Sequence, residues 1–171
     1  MADSVDRMIL EHDWAKYPEL DLDVERIVNR IYYLWKYLKR TFDETASEFG
    51  INKGELDVLK HLHHAGEPFQ MSPTRLADRI QLSSGAMTNR LDRLESSGLV
   101  RRLPDPTDRR GTLVELTETG VDTYWAAIDR QIKKEKALCD PLNETERKEL
   151  SDLLRKLMLE IESSPGFPWK H

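Results

Sequence analysis

Ser84, Thr88, Asn89, Asp92 and Arg93 fall on one side of any helix drawn through them, and all five can form hydrogen bonds. Small hydroxyl and amide side chains followed by a guanidinium are groups that read base edges in a DNA major groove. Further along lies the run PDPTDRRG, residues 104–111, in which Pro104 and Pro106 stiffen a loop and Gly111 relieves it, with Asp108, Arg109 and Arg110 near its tip. A rigid arm ending in arginine suits a narrow minor groove, whose enhanced negative potential attracts guanidinium. Residues 72–111 carry eight arginines, no lysine and five acids, a local excess of +3; the whole chain has 26 basic and 31 acidic residues, so the remainder carries −8. Arginine is the cation suited to forked contact with guanine edges and phosphates. A solvated helical face laced with ion pairs is the plainer account of the same charges.

Other chemistries find less support. His61 and His64 share a helical face, with His63 beside them and His12 able to join, which raises a zinc-sensing alternative; the three are not all on one face. Cys139 is the single cysteine, which excludes an intrachain disulfide and a multi-cysteine zinc site; a redox switch there has only Lys133, Lys134 and Lys136 to lower its pKa. No G-x-S-x-G, H-E-x-x-H, G-x-x-x-x-G-K or G-x-G-x-x-G motif occurs, so an enzyme is not expected and no cofactor is assigned. At 171 residues, 33% charged and 39% hydrophobic, the chain can bury a core unaided. An N-terminus that mixes acids among its apolar residues, and the lack of any long apolar run, predict a cytoplasmic protein without membrane association.

The elements that must position these residues follow from periodicity. Residues 4–17 predict a short helix with Leu10, Trp14 and Tyr17 on one side, stopped by Pro18. A long helix follows over 24–49, capped by Asp23 and striped by Val24, Ile27, Val28, Ile31, Leu34, Trp35 and Leu38. Asn52 with Glu55 reads as a capping box opening a third helix that carries Leu56, Leu59 and Leu62. Ser72 caps two turns bearing Leu76, Ala77 and Ile80, and Ser83 caps a further helix bearing Ala86, Met87, Leu91 and Leu94 and closed by Gly98; together they make a helix-turn-helix. Residues 99–103 and 112–116 form a hairpin. A helix beginning after Thr117 or Thr119 carries Val121, Tyr124, Trp125, Ile128 and Ile132, and another opens at Asn143 with Glu146 and carries Leu150, Leu153, Leu154, Leu157 and Ile161. The expected organisation is N-terminal helices over 1–50, a DNA-binding domain over 51–117, C-terminal helices over 118–163 and an irregular tail over 164–171. Long apolar stripes at both ends predict interlocking with a second subunit, with packing inside one chain as the alternative.

The stretch LADRIQLSSGAMTNRLDRLESSGLVRRLPDPTDRRGTLVELTETG resembles the winged helix-turn-helix core of MarR-type transcriptional regulators. The resemblance implies a mainly α fold with a small β-hairpin, dimerising through its N- and C-terminal helices, and a homodimeric regulator, expected to be a repressor, on a pseudo-palindromic operator. It implies DNA contacts from Ser72, Ser83, Ser84, Thr88, Asn89 and Arg93, with Arg109 and Arg110 on the wing and Asp108 orienting those arginines. The added N-terminal helix with Trp14 is similar to the urate-responsive branch of that family. That likeness implies a pocket for a small anion, urate or xanthine, formed by Trp14, Asp57, Arg90 and Arg102, in which Asp57 pairs with the arginines until ligand arrives. A phenolic or other aromatic acid, or zinc, is the alternative effector.

Overall fold

A computed structural model describes residues 2–164 of the 171, apart from the side chain of Ala15, and the tail expected over 164–171 lies outside the described residues from 165 onward. The fold is mainly helical with a small three-stranded antiparallel sheet. The chain forms two compact units, Met1–Gln131 and Ile132–His171.

In the first unit, helix α1 (Ser4–Glu11) starts on a capping box in which the Asp3 carboxylate accepts from the amides of Val5 and Asp6, each at 2.9 Å. It is shorter than the sequence predicts, and its inner face is Val5 and Ile9, whereas Leu10 is 79% exposed. The cause is local: the Trp14 indole donates to the Ile9 carbonyl at 2.7 Å, taking an acceptor freed at the helix end, and a separate 3-10 turn follows over Trp14–Lys16. Helix α2 (Leu22–Glu48) is capped by Asp21, two residues before the expected Asp23, because the Asp21 carboxylate reaches the amides of Asp23 (2.9 Å) and Val24 (3.3 Å). Arg30 of α2 ties α1 down through Asp3 (2.9 Å) and Asp6 (2.7 Å).

Helix α3 (Lys53–His63) opens on the expected Asn52/Glu55 capping box and buries Leu56, Val58, Leu59 and Leu62. Strand β1 (Gln70–Met71) was not foreseen, and it pairs with β3 (Thr112–Leu116), which pairs in turn with β2 (Val100–Pro104). Two residues carry no periodicity of their own, and only the distant edge of β3 gives Gln70 and Met71 a ladder. Helices α4 (Pro73–Ile80) and α5 (Ser84–Ser96) complete the helix-turn-helix. Their inner faces, Leu76 with Ala77 and Met87, Leu91 and Leu94, join Leu59, Leu62, Val100 and Val114 in one core. Burying each large aliphatic side chain stabilises by about 1.5–3 kcal/mol relative to leaving it in water. Ala86, expected on the inner face, is exposed, because Met87 takes the inward position one residue later.

Helix α6 (Glu118–Cys139) starts after Thr117, whose hydroxyl accepts from the Gly120 amide at 3.0 Å. The Thr117 hydroxyl donates to the Gly98 carbonyl at 2.7 Å and the Thr117 amide to the Leu99 carbonyl at 3.1 Å, so one residue fastens the helix start to the entry of β2. Further along, Gln131 of α6 joins Thr45 of α2 at 3.0 Å in a buried hydrogen bond. In the second unit, helix α7 (Glu144–Ser163) opens on the Asn143/Glu146 capping box and buries no residue, leaving Leu150, Leu153, Leu154, Leu157 and Ile161 exposed.

A Cβ at Gly120 would lie 2.0 Å from the Leu99 carbonyl oxygen, a backbone atom held by the Thr117 amide. Gly120→Ala is expected to destabilise the chain by about 3 kcal/mol, at the upper end of overpacking effects, read as a lower urea midpoint. An unchanged midpoint shows that this junction is looser than its geometry.

Candidate nucleic-acid interface

The Ser83 hydroxyl accepts from the Ala86 amide at 3.3 Å and the Ser72 hydroxyl from the Arg75 amide at 3.4 Å, so both predicted contact serines serve first as helix caps. Each keeps its own O–H to donate, at a helix N-terminus that favours anions. Burial of Met87, Leu91 and Leu94 turns the other side of α5 outward, and Ser84, Gly85, Thr88, Asn89, Asp92 and Arg93 are exposed. The Thr88 hydroxyl donates back to the Ser84 carbonyl at 2.9 Å, leaving its oxygen lone pairs and methyl group facing out.

Arg93 is 67% exposed at its side chain, yet its Nε lies 2.8 Å from Oε1 of the buried Glu55 carboxylate, an ion pair without hydrogen-bond alignment. Arg90 Nη1 donates to the Gly54 carbonyl at 3.0 Å, and a Cβ at Gly54 would come within 2.6 Å of that guanidinium. Both arginines of α5 therefore reach back to the first turn of α3. Sequence reading found Glu55 only as a capping residue, although a carboxylate there has two oxygens and the cap uses one.

The wing is joined to α5 by Arg102. Its guanidinium pairs with Asp92 at 2.6 Å and with Glu95, and Glu95 also accepts from the Arg102 amide at 3.1 Å. The hydrogen bond that Arg102 donates to Asp92 foremost, with Glu95 adding its charge, raises the Arg102 pKa above its ordinary value. Arg101 pairs across the strands with Glu115, at 3.1 Å from its Nε. In the loop between β2 and β3, the Asp105 carboxylate accepts from the Thr107 hydroxyl (2.7 Å) and amide (2.8 Å), bonds that hold its pKa below the usual value. The Asp108 carboxylate accepts from the Arg110 amide at 2.9 Å and the Gly111 amide donates to the Asp108 carbonyl at 2.8 Å. Asp108 thus fixes the backbone that carries the arginines and does not bond their guanidinium groups. Gly111 is required there because a Cβ would sit 2.8 Å from Cβ of Asp105. Among the described residues, Arg109 and Arg110 form no ion pair.

The four residues expected to share a ligand pocket are engaged separately. Asp57 pairs with Lys53 one turn earlier at 2.8 Å and not with Arg90 or Arg102, because an i,i+4 partner is always within reach while Arg102 has two nearer carboxylates on α5. Trp14 is half-buried, bonded to Ile9 and 4.7 Å from the His12 ring. Among the described residues no group of three His, Cys, Asp or Glu side chains is placed to hold a metal. His63 instead stacks on Tyr124 at 4.6 Å and on Phe69 at 5.1 Å, and His64 faces the Tyr124 hydroxyl at 3.3 Å. Burial lowers the pKa of both His61 and His63. Cys139 is exposed. Among the described residues no helix is long and apolar enough to cross a membrane.

A braced helix with an exposed polar face, beside a hairpin with two unpaired arginines, defines a winged helix-turn-helix of the DNA-binding kind. Residues 51–112 match the MarR family. The chain is 30% identical to the solved reduced form of MarR from E. coli, covering 75% of this chain and 93% of that one with a TM-score of 0.63. A mutant of MarR from E. coli complexed with operator DNA matches at 29% identity over 79% and 95% of the two chains, TM-score 0.60. The HTH-type transcriptional regulator PecS of Dickeya dadantii is 27% identical over 82% of this chain and 84% of its own length. The chain belongs to the MarR family and is a DNA-binding transcriptional regulator.

Asp108→Asn retains the side-chain acceptor for the Arg110 amide, whereas Asp108→Ala removes it. The heteronuclear NOE of the Arg110 amide should match wild type in the first variant and fall in the second. Equal values in all three proteins show that the loop is ordered without this bond.

Proposed function

We propose that the protein is a homodimeric repressor that binds a pseudo-palindromic operator, with α5 in the major groove and the wing in the minor groove. The observation that carries this is the contrast between arginines. Arg90, Arg101 and Arg102 are bonded within the chain, while Arg109 and Arg110 are displayed unpaired on a loop held by Asp105 and Asp108. Ser84, Thr88, Asn89 and Arg93 are the base-reading residues, and Ser72 and Ser83 place phosphates at two helix N-termini. Residues 51–117 are the reader, and 1–50 with 118–163 build the dimer. Two exposed apolar faces support a second copy: Val24, Ile27, Val28, Ile31 and Leu34 on α2, and the leucine stripe of α7.

The test is fluorescence anisotropy with a duplex selected by the wild-type protein from a random-sequence pool, at fixed salt. Arg110→Ala should weaken binding at least tenfold, as loss of about 1.4 kcal/mol or more does, while sedimentation still gives a mass of two chains. Unchanged affinity discards the minor-groove role, and a mass of one chain discards the dimer.

Repression is released, in this reading, by a small planar anion of purine type that engages Trp14, Arg90 and Arg102, with Asp57 at the edge of the site. Arg102 supports it, since a ligand that takes this guanidinium from Asp92 and Glu95 unties the wing from α5 and favours a conformation that no longer fits DNA. Urate or xanthine should lower the anisotropy of the preformed complex, and Arg102→Ala should abolish that response. If neither purine affects the complex while salicylate does, the effector is an aromatic acid; if none of the three does, this effector site is wrong.

A further inference from the structure

We propose that Glu55 sets the specificity of DNA reading by holding the inner end of Arg93, so that the outer guanidinium nitrogens face base edges and the side chain cannot swing to a phosphate. This rests on the reading of α5 as the base-contacting helix.

The capping box at the start of α3 needs only one acceptor from residue 55. Glu55 Oε2 supplies it, accepting from the Asn52 amide at 2.8 Å. A glutamine performs the same cap. The charge is therefore surplus to the helix, and a carboxylate with 3% of its side chain exposed is costly to bury unless a cation answers it. Arg93 Nε, 2.8 Å from Oε1, is that cation. The space around it is open: a cavity of about 270 Å³ lies between α3 and α5, lined by Asn52, Glu55, Ala86, Asn89, Arg90 and Arg93. Packing does not pin Arg93 there, so the carboxylate does. With Nε engaged, only the Nη edge of the fork remains for DNA, and one negative charge offsets the arginine's pull on any passing phosphate. Both effects favour directed base contact over diffuse attraction.

Anisotropy titrations from 50 to 200 mM salt compare the duplex selected by wild type with a scrambled duplex of the same composition. Glu55→Gln keeps the cap and removes the charge. It should weaken binding to the selected duplex, strengthen binding to the scrambled one, and reduce their ratio about tenfold, the scale of one misdirected forked contact. The salt slope on scrambled DNA should steepen by about 1 for each subunit, as one further phosphate contact requires. A merely structural role for Glu55 would not steepen that slope, so an unchanged slope and ratio overturn the proposal. Arg93→Ala separates the two levels: if it leaves the selected duplex bound as tightly as wild type, Arg93 does not read bases and the reading of α5 fails there; if it weakens binding while Glu55→Gln is silent, only the role of Glu55 fails. Should Glu55→Gln not fold, Arg93→Lys decides. Lysine gives its single charged head to Glu55 and should discriminate as poorly as Arg93→Ala, whereas wild-type discrimination refutes the proposal.

Discussion

Burial of Met87, Leu91 and Leu94 against α3 and the sheet is the constraint from which the rest of the interface follows. These three positions fix the rotation of α5 about its own axis. Their spacing leaves Ser84, Thr88, Asn89 and Arg93 no direction but outward. Rotating a helix held by side chains that are 1% exposed would bring those side chains into water, which opposes rotation. The exposed polar face of α5 is in this sense a by-product of the core.

Electrostatics then divides the arginines by task. Arg90 is turned inward to a backbone carbonyl, and this is possible only because residue 54 is glycine. Arg101 and Arg102 are matched to acids on the neighbouring strand and on α5. Arg93 stands between these groups, exposed at its tip and paired at its root. The wing pair, like Arg75 and Arg79 of α4, has no internal ion pair among the described residues. The loop over residues 104–111 and α5 each set two arginines against two acids, so the excess of +3 over residues 72–111 comes from Arg75 and Arg79 with Asp78, and from Arg101 and Arg102. Surface pairs of this kind contribute little to stability, about 0–1 kcal/mol each, so their weight falls on geometry.

What could be read in the sequence was whatever is local. Asn52, Ser72, Ser83 and Asn143 cap their helices as expected because each bond runs between residues three apart, and spacing alone specifies it. The inward triad of α5 and the two wing strands were legible for the same reason. Periodicity failed where a distant partner decides. Gln70 and Met71 are a strand only through β3, and Val5 and Ile9 face inward only because α1 lies on α2. Asp57 illustrates the limit at the candidate site: its nearest cation is one helical turn away, and no motif reveals that Arg102 is already bound to Asp92 and Glu95.

At two of the eight arginines between Ser72 and Gly111 the geometry calls for a fork that lysine lacks. Arg102 bonds two carboxylates through separate nitrogens while its backbone amide meets a third oxygen, so strand and helix are joined at three points. Arg93 sets its Nε 2.8 Å from a buried acid, as an ion pair, while its side chain stays largely exposed. An ammonium is a single point of charge and cannot face two ways. The Arg102 fork links β2 to α5, so on the binding mode proposed above the spacing between the hairpin and α5 is set before DNA arrives. Preorganisation of this kind lowers the entropy lost on binding, so on the proposed mode the fixed distance between α5 and the wing contributes to discrimination as much as any one contact does.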